Sequence, residues 1–327
     1  MPLHLSLLLK INLKRHIGMN LPRMHILILS LLAVLSAEAT RGNLEVIEAS
    51  GDQVPYELFL PKSAPPPGTK SPILVFLHGR GESGAFDVTN AQSLPLQLLA
   101  NASFAASFPF ITLVPQCPAS CAYENGWSEA VLQGLARLVP EVASAHGGDL
   151  GRVYLAGQSM GGNGAWMFAS QQKNMFAAVV VVCGYGGSPK DQSRIAERLV
   201  RSGTAVGVVH AADDSVIDVS AGDEMVEAIA TMHSAREGSG AKLSNIDSVA
   251  SRPPNTPLLR YWRYAHAPGP PMPEYAHLIG HGSYEIAFRD SGLYAWLLLH
   301  TCEKCAAAAT AGVQSKWKPL HHSASSE

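Results

Sequence analysis

Charge is scarce in this 327-residue sequence. Asp, Glu, Lys and Arg make up 15% of it, and 24 basic against 26 acidic residues leave a formal net charge of −2. No basic excess exists to neutralise phosphates or draw the chain to an acidic membrane face, which argues against nucleic acid as a partner. The apolar run from Ile26 to Leu35 falls short of the ~20 residues that cross a bilayer. Cysteine is also rare, at five residues. Cys117 with Cys121, and Cys302 with Cys305, stand close enough to close local disulfides in an oxidising lumen. The two pairs lie far apart and no histidine ligand pattern accompanies them, so zinc is not expected. Cys183 ends the apolar run from Ala178 and reads as a buried, inert thiol. The sequence implies neither a metal nor a cofactor.

What is present is apolar: 47% of the residues are hydrophobic, enough for a sizeable core. The first 39 residues read as a targeting segment. Lys10, Lys14, Arg15 and Arg23 precede the Ile26–Leu35 run, and Ala37-Glu38-Ala39 follows as a small-x-small cleavage pattern. The expectation is a secreted or lumenal protein, without stable membrane insertion once the segment is cleaved and membrane-anchored if it is not. Met19 and Met24 are alternative starts. Residues 306–327 lack apolar periodicity and read as a disordered tail. A sequon at Asn101-Ala102-Ser103 carries little weight, and nothing sets an oligomeric state.

Between residues 43 and 303, short apolar runs alternate with helix-period segments. Leu44 to Leu60 reads as a strand pair turned at Gly51-Asp52, and Pro65 to Gly68 as a loop. Strands are expected at 73–77, 110–114, 153–156, 177–182, 206–209 and 258–264. Helices are expected around Leu132, Leu135, Leu138 and Val142 (bent or broken at Pro140), and at 161–172, 224–232 and 293–299. Asn90 to Leu98 gives only a weak helix, and 234–257 reads as a polar surface insertion. Strands alternating with helices predict one α/β domain around a mostly parallel sheet covered on both faces.

Gly157-Gln158-Ser159-Met160-Gly161 falls between an expected strand and an expected helix. A sharp strand-to-helix turn strains its central residue and lifts a serine above the sheet edge, with glycines allowing close backbone approach. An activated serine needs a base and an acid that orients it, here in chain order Ser, Asp or Glu, His. The run Val206–Val209 ends in His210-Ala211-Ala212-Asp213-Asp214, offering a carboxylate past a strand end. Later comes Gly280-His281-Gly282-Ser283, a glycine-flanked histidine. Acyl transfer also needs N–H groups aimed at an oxyanion. Met160, directly after the serine, and Arg80 or Gly81 in His78-Gly79-Arg80-Gly81-Glu82 are the candidates. Trp127, in Asn125-Gly126-Trp127-Ser128, is a candidate substrate-pocket residue, with a packed loop tryptophan as the plain alternative.

Five segments occur together in order: Leu77 to Glu82, Val114-Pro115-Gln116-Cys117-Pro118, Gly157 to Gly162, His210-x-x-x-Asp214 and Gly280 to Ser283. This set resembles the phospholipase/carboxylesterase branch of the α/β-hydrolases, near the predicted peptidase and esterase group and the polyester depolymerases, over residues 45–300. The resemblance implies an α/β-hydrolase fold and a serine carboxylesterase acting on small ester substrates. It assigns Ser159 as nucleophile, Asp214 rather than Asp213 as acid, and His281 rather than His277 as base. Two positions depart from the pattern: Ala211 replaces a usual glycine, and Gly269 to His277 lengthens the approach to the histidine. Peptidase and thioesterase chemistry use the same triad and stay open, as does a catalytically inactive binding protein. Gly79-x-Gly81-x-x-Gly84 also spells a dinucleotide fingerprint. It lacks an acidic residue about 20 positions on, as a Rossmann reading requires.

Overall fold

The computed structural model describes residues 44–47, 54–84, 93–124, 126–237 and 258–307. The expected targeting segment, the Gly51-Asp52 turn, most of the 234–257 insertion and nearly all of the tail lie outside them.

The strands are β1 (Leu44–Ile47), β2 (Tyr56–Phe59), β3 (Ser71–Leu77), β4 (Ile111–Pro115), β5 (Gly148–Gln158), β6 (Ala178–Val182), β7 (Ala205–Ala211) and β8 (Leu259–Tyr264). They form one eight-stranded sheet in the order β1-β2-β4-β3-β5-β6-β7-β8. β1 and β2 pair antiparallel, as do β2 and β4, whereas every pairing from β4 through β8 is parallel. The helices are α1 (Ser93–Ala100), α2 (Ala102–Ser107), α3 (Ala119–Glu124), α4 (Glu129–His146), α5 (Met160–Gln171), α6 (Pro189–Ser202), α7 (Ser220–Glu237), α8 (Ser283–Ala287) and α9 (Ser291–Leu298).

The central strands read as unbroken apolar runs because both faces of the sheet are covered. Ile73, Val75, Val153, Leu155, Val179, Val181 and Val208 pack with Leu135 of α4, Phe168 of α5, Leu199 of α6 and Ile229 of α7. The alternate residues Leu74, Phe76, Tyr154, Val180, Val182 and Val209 pack with Leu94 of α1 and Leu293, Trp296 and Leu297 of α9. The two-residue side-chain period of a strand sorts neighbours to opposite layers.

Three expectations need correction. α4 runs unbroken through Pro140, and its buried stripe is Leu132, Leu135, Val139 and Val142, with Leu138 only partly buried. A proline inside a helix removes one N–H, and here the burial of this stripe outweighs that loss. The weak helix expected near Asn90–Leu98 is α1, and the unanticipated element is α2 after it, capped by the Asn101 side chain on the Phe104 N–H. α6 was not anticipated at all, although its ends are well marked. Ser188 and Asp191 form a reciprocal cap, Pro189 opens the helix and Gly203 closes it with φ 77°.

Glu57 is the buried acid of β2, and burial raises its pKa to about 7. A pKa raised in the folded state favours folding while the group stays protonated, and that contribution is lost as pH rises through the folded value. Glu57→Gln is therefore expected to stabilise the protein more at pH 8 than at pH 5, the difference developing between about pH 4.3 and 7. Thermal melts of both proteins at the two pH values check this, and equal shifts would contradict it.

Candidate active site

The parallel strands all end on the same edge of the sheet, where the intervening loops converge. β5 runs directly into Ser159, the N-cap of α5, which has φ 54° and ψ −120°. The Ser159 N–H donates to the Val182 carbonyl of β6 at 2.9 Å. This backbone conformation is costly for a residue with a Cβ, and the flanking glycines show what imposes it. A Cβ on Gly157 would lie 2.1 Å from the Gly161 carbonyl oxygen, and one on Gly161 would lie 2.1 Å from that of Leu77. The turn is packed backbone against backbone, onto the end of β3.

The loop after β7 presents Asp214, and the loop after β8 presents His281. Gly280, at φ +80°, brings the two together: a Cβ there would meet the Asp213 carbonyl and the Asp214 nitrogen at 2.4 Å. Ser215 adds its N–H and hydroxyl to the Ile279 carbonyl at 3.0 and 2.9 Å. The His281 ring is buried, with Nδ1 3.1 and 3.0 Å from the Asp214 carboxylate oxygens and Nε2 2.9 Å from Ser159 Oγ. With Nδ1–H donating to the carboxylate, Nε2 offers its lone pair to the serine hydroxyl. The arrangement can move a proton from Oγ to the ring while the carboxylate balances the resulting charge.

Asp214 is held from several sides. Its Oδ1 accepts the Val216 and Ile217 N–H groups at 2.9 and 3.0 Å, and His210 Nε2 lies 3.3 Å from Oδ2. Burial works against the charged carboxylate, but the hydrogen bonds from His210, His281 and Ile217, with the field of His281, hold its pKa well below the usual range. Of the two candidate pairs, the structure brings Asp214 and His281 to Ser159. Asp213 instead accepts the Ala267 N–H and pairs with His266, and His277 is exposed.

The oxyanion candidates Met160, Arg80 and Gly81 all line one cavity of about 650 Å³ with Ser159 and His281. Arg80–Glu82 forms a 3₁₀ turn, which the Glu82 carboxylate holds by accepting the Gly79 N–H at 3.0 Å. Trp127 does not line this cavity. It is buried, its indole N–H donates to the His78 carbonyl at 3.3 Å, and its ring lies against Gly164. Its place is behind the His78 loop, the plain alternative. His78 accepts the Cys117 N–H on Nε2 at 3.0 Å and donates Nδ1–H to the Gly79 carbonyl at 2.8 Å. Burial pushes its pKa down to about 4, against the backbone bond, so it stays neutral.

Sequence reasoning gave no role to several residues that organise this site. Gln158, next to the serine, donates to Glu82 Oε2 at 3.2 Å and accepts the Ser93 hydroxyl at 2.5 Å. The Ser93 N–H reaches Glu285 of α8 at 3.0 Å. This chain links the 3₁₀ turn, the serine turn and the helix that follows His281. Gln158 stands inside a quoted motif, so its position is visible while its partners are not; His210 is quoted together with its partner Asp214, but without a role. Cys183 is buried and free, as expected, but sits against the site, with Sγ 3.6 Å from the His281 carbonyl. Its sulfur, Asp214 and His281 are the one set of three potential metal ligands among the described residues. Burial raises the thiol pKa and the other two groups already bond each other, so this set favours a proton relay over a metal. Both adjacent cysteine pairs are disulfides, Cys117–Cys121 and Cys302–Cys305.

Residues 47–210 match the Esterase family model, described as "Putative esterase". The chain belongs to this esterase family. The esterase "Probable carboxylesterase 7" of Arabidopsis thaliana is 29% identical over 126 residues, 36% of this chain, and the match spans only 38% of that relative's length. The structure of "a Thermostable Esterase" superposes with a TM-score of 0.55 at 23% identity, covering 79% of this chain and 63% of that one. A "Putative Dienelactone Hydrolase" from Klebsiella pneumoniae subsp. pneumoniae MGH 78578 gives 0.51 at 17% identity, covering 78% and 97%. These two solved structures show that this chain shares the α/β-hydrolase fold.

The Gly161 contact yields a test of the serine turn. Gly161→Ala is expected to cost about 3 kcal/mol or more, because backbone must shift to admit the methyl. Urea denaturation measures this, and a loss under about 0.5 kcal/mol would show that the turn has room.

Proposed function

We propose that this esterase hydrolyses carboxylic esters through an acyl-enzyme formed on Ser159. The observation that carries the reading is the 2.9 Å contact of His281 Nε2 with Ser159 Oγ at the cavity, with Nδ1 on Asp214. Ser159 attacks the ester carbonyl while His281 takes its proton, and Asp214 orients the ring and stabilises its cation. The tetrahedral oxyanion is received by the Met160 N–H and an N–H of the Arg80-Gly81 turn. Collapse expels the alcohol, protonated by His281. Water, deprotonated by the same ring, then attacks the acyl-enzyme and releases the acid. Because the Asp214 carboxyl is held so low, it stays ionised through the acid range in which such a rate profile falls, and its protonation does not set the acid limb.

The two disulfides support a second part of the reading, passage through an oxidising secretory compartment. Amino-terminal sequencing of the natural protein tests it, with a start near Thr40 expected.

A fluorophosphonate probe is expected to label the folded protein on Ser159. Absence of an adduct would count for an inactive, binding-only fold. Ser159→Ala and His281→Ala should each lower kcat on a short p-nitrophenyl ester by about 10⁴-fold or more without loss of folding. Asp214→Asn should cost about 10⁴-fold, and Asp213→Asn less than about 10-fold. Equal losses for the two aspartates would refute the choice of acid. Matched ester, thioester and peptide substrates separate this reading from peptidase and thioesterase chemistry.

A further inference from the structure

The cavity contains a charge that the proposed relay does not use. Arg80, Glu82 and His281 are the charged or chargeable side chains, apart from tyrosines, among its lining residues. His281 is engaged with Ser159 and Asp214. Glu82 is committed to the Gly79 N–H and the Gln158 amide. Arg80 differs: its Nε donates to the Ala122 carbonyl at 2.9 Å, and it makes no ion pair among the described residues. Its charge is permanent, and its terminal nitrogens form a planar fork suited to a carboxylate.

The fork is also held in place before any substrate arrives. Ala122 lies on α3, whose Cys121 is joined by a disulfide to Cys117. The Cys117 carbonyl in turn accepts the Gly84 N–H at 2.9 Å, and its N–H meets His78. A tethered arginine loses less side-chain freedom on binding than a loose one. Its field reaches the phenol of Tyr185 on the same wall, where it opposes the upward push of burial on that pKa. Val216, Ile217, Pro270 and Leu278 contribute an apolar part of the lining. A cation without an ion-pair partner among the described residues, next to apolar surface and to a Glu82 carboxylate already occupied by the Gly79 N–H and the Gln158 amide, suits a molecule with a hydrocarbon body and one anionic end.

We propose that Arg80 selects esters that carry a second, ionised carboxylate, such as half-esters of dicarboxylic acids. The proposal rests on the esterase reading above and names the substrate class of that site. The guanidinium receives the free carboxylate by charge-assisted, two-point hydrogen bonding, and the apolar wall takes the intervening methylenes.

The test compares kcat/KM for mono-p-nitrophenyl adipate with that for p-nitrophenyl hexanoate. A second pair, 4-carboxyphenyl butyrate and phenyl butyrate, places the charge on the alcohol side. The wild-type protein is expected to favour the charged member of at least one pair by about 10-fold, less so in high salt. Arg80→Gln should remove that preference, Arg80→Lys should keep part of it, and Arg80→Glu should reverse it. Only the ratio within a pair is read, so a loss common to both esters, caused by disturbing the Arg80 N–H, cancels. Calorimetry of adipate binding to Ser159→Ala supplies a readout without turnover, with weaker binding expected when Arg80→Gln is added. Hydrolysis of both esters with a ratio unaffected by Arg80 would overturn this proposal and leave the esterase reading standing. Failure to hydrolyse any ester, with no fluorophosphonate adduct, would overturn both.

Discussion

The site depends on a contact between two stretches of backbone. Gly161, in the first turn of α5, lies against the Leu77 and His78 carbonyls at the end of β3, with no room for a methyl group between them. That contact forces Ser159 into its strained conformation and places the 3₁₀ turn of Arg80–Glu82 beside it. Burial of apolar residues on both faces of the sheet supplies the free energy that holds the strain. A side chain at either glycine would separate the serine from the loop that carries its proposed oxyanion donors.

Around this contact, several buried polar groups are bonded in chains rather than singly. Asp214 is surrounded by donors from its own loop, from β7 and from the histidine loop. Glu82, Gln158, Ser93 and Glu285 run from the 3₁₀ turn to the helix after His281. In a buried setting each unmade bond costs roughly 1–3 kcal/mol, so such chains fix loops that carry few apolar contacts. The loops of an otherwise apolar sheet thereby become rigid enough to hold side chains at hydrogen-bonding distance.

The sheet was legible because parallel strands buried on both faces announce themselves as apolar runs, such as Ile73–Leu77 and Ala178–Val182. Ser159 and His281 were legible because glycines mark the turns that carry them and because the order Ser, Asp, His matches the fold, while the preference for Asp214 over Asp213 came from the family resemblance. What stayed hidden was of two kinds. α6 was overlooked although Ser188, Pro189, Asp191 and Gly203 spell its start and stop, because its mostly charged exposed face masks a narrow apolar stripe. The roles of Trp127 and Gln158 depend on partners 49 and 76 residues away for the bonds that define them, and no local pattern encodes those distances. α4 shows the reverse case, in which tertiary burial overrides what Pro140 predicts locally.

The segment between Gly269 and Ile279 is closed at its base by backbone. The Gly280 N–H bonds to the Ala267 carbonyl at 2.9 Å and the Gly282 N–H to that of Pro268 at 2.8 Å. His281 is thus anchored by the neck of a loop, while the body of the loop contributes Pro270, Tyr275 and Leu278 to the cavity. A neck of this kind divides the labour within one loop. Side chains exchanged at Pro270 or Tyr275 change the cavity wall, while the neck bonds that hold the backbone of His281 stay in place. Not all of the loop is free in this way, because the Leu278 carbonyl accepts the His281 N–H and the Ala276 backbone lies against Gly269, so the shape of the wall and the position of the imidazole part company only toward the loop's tip.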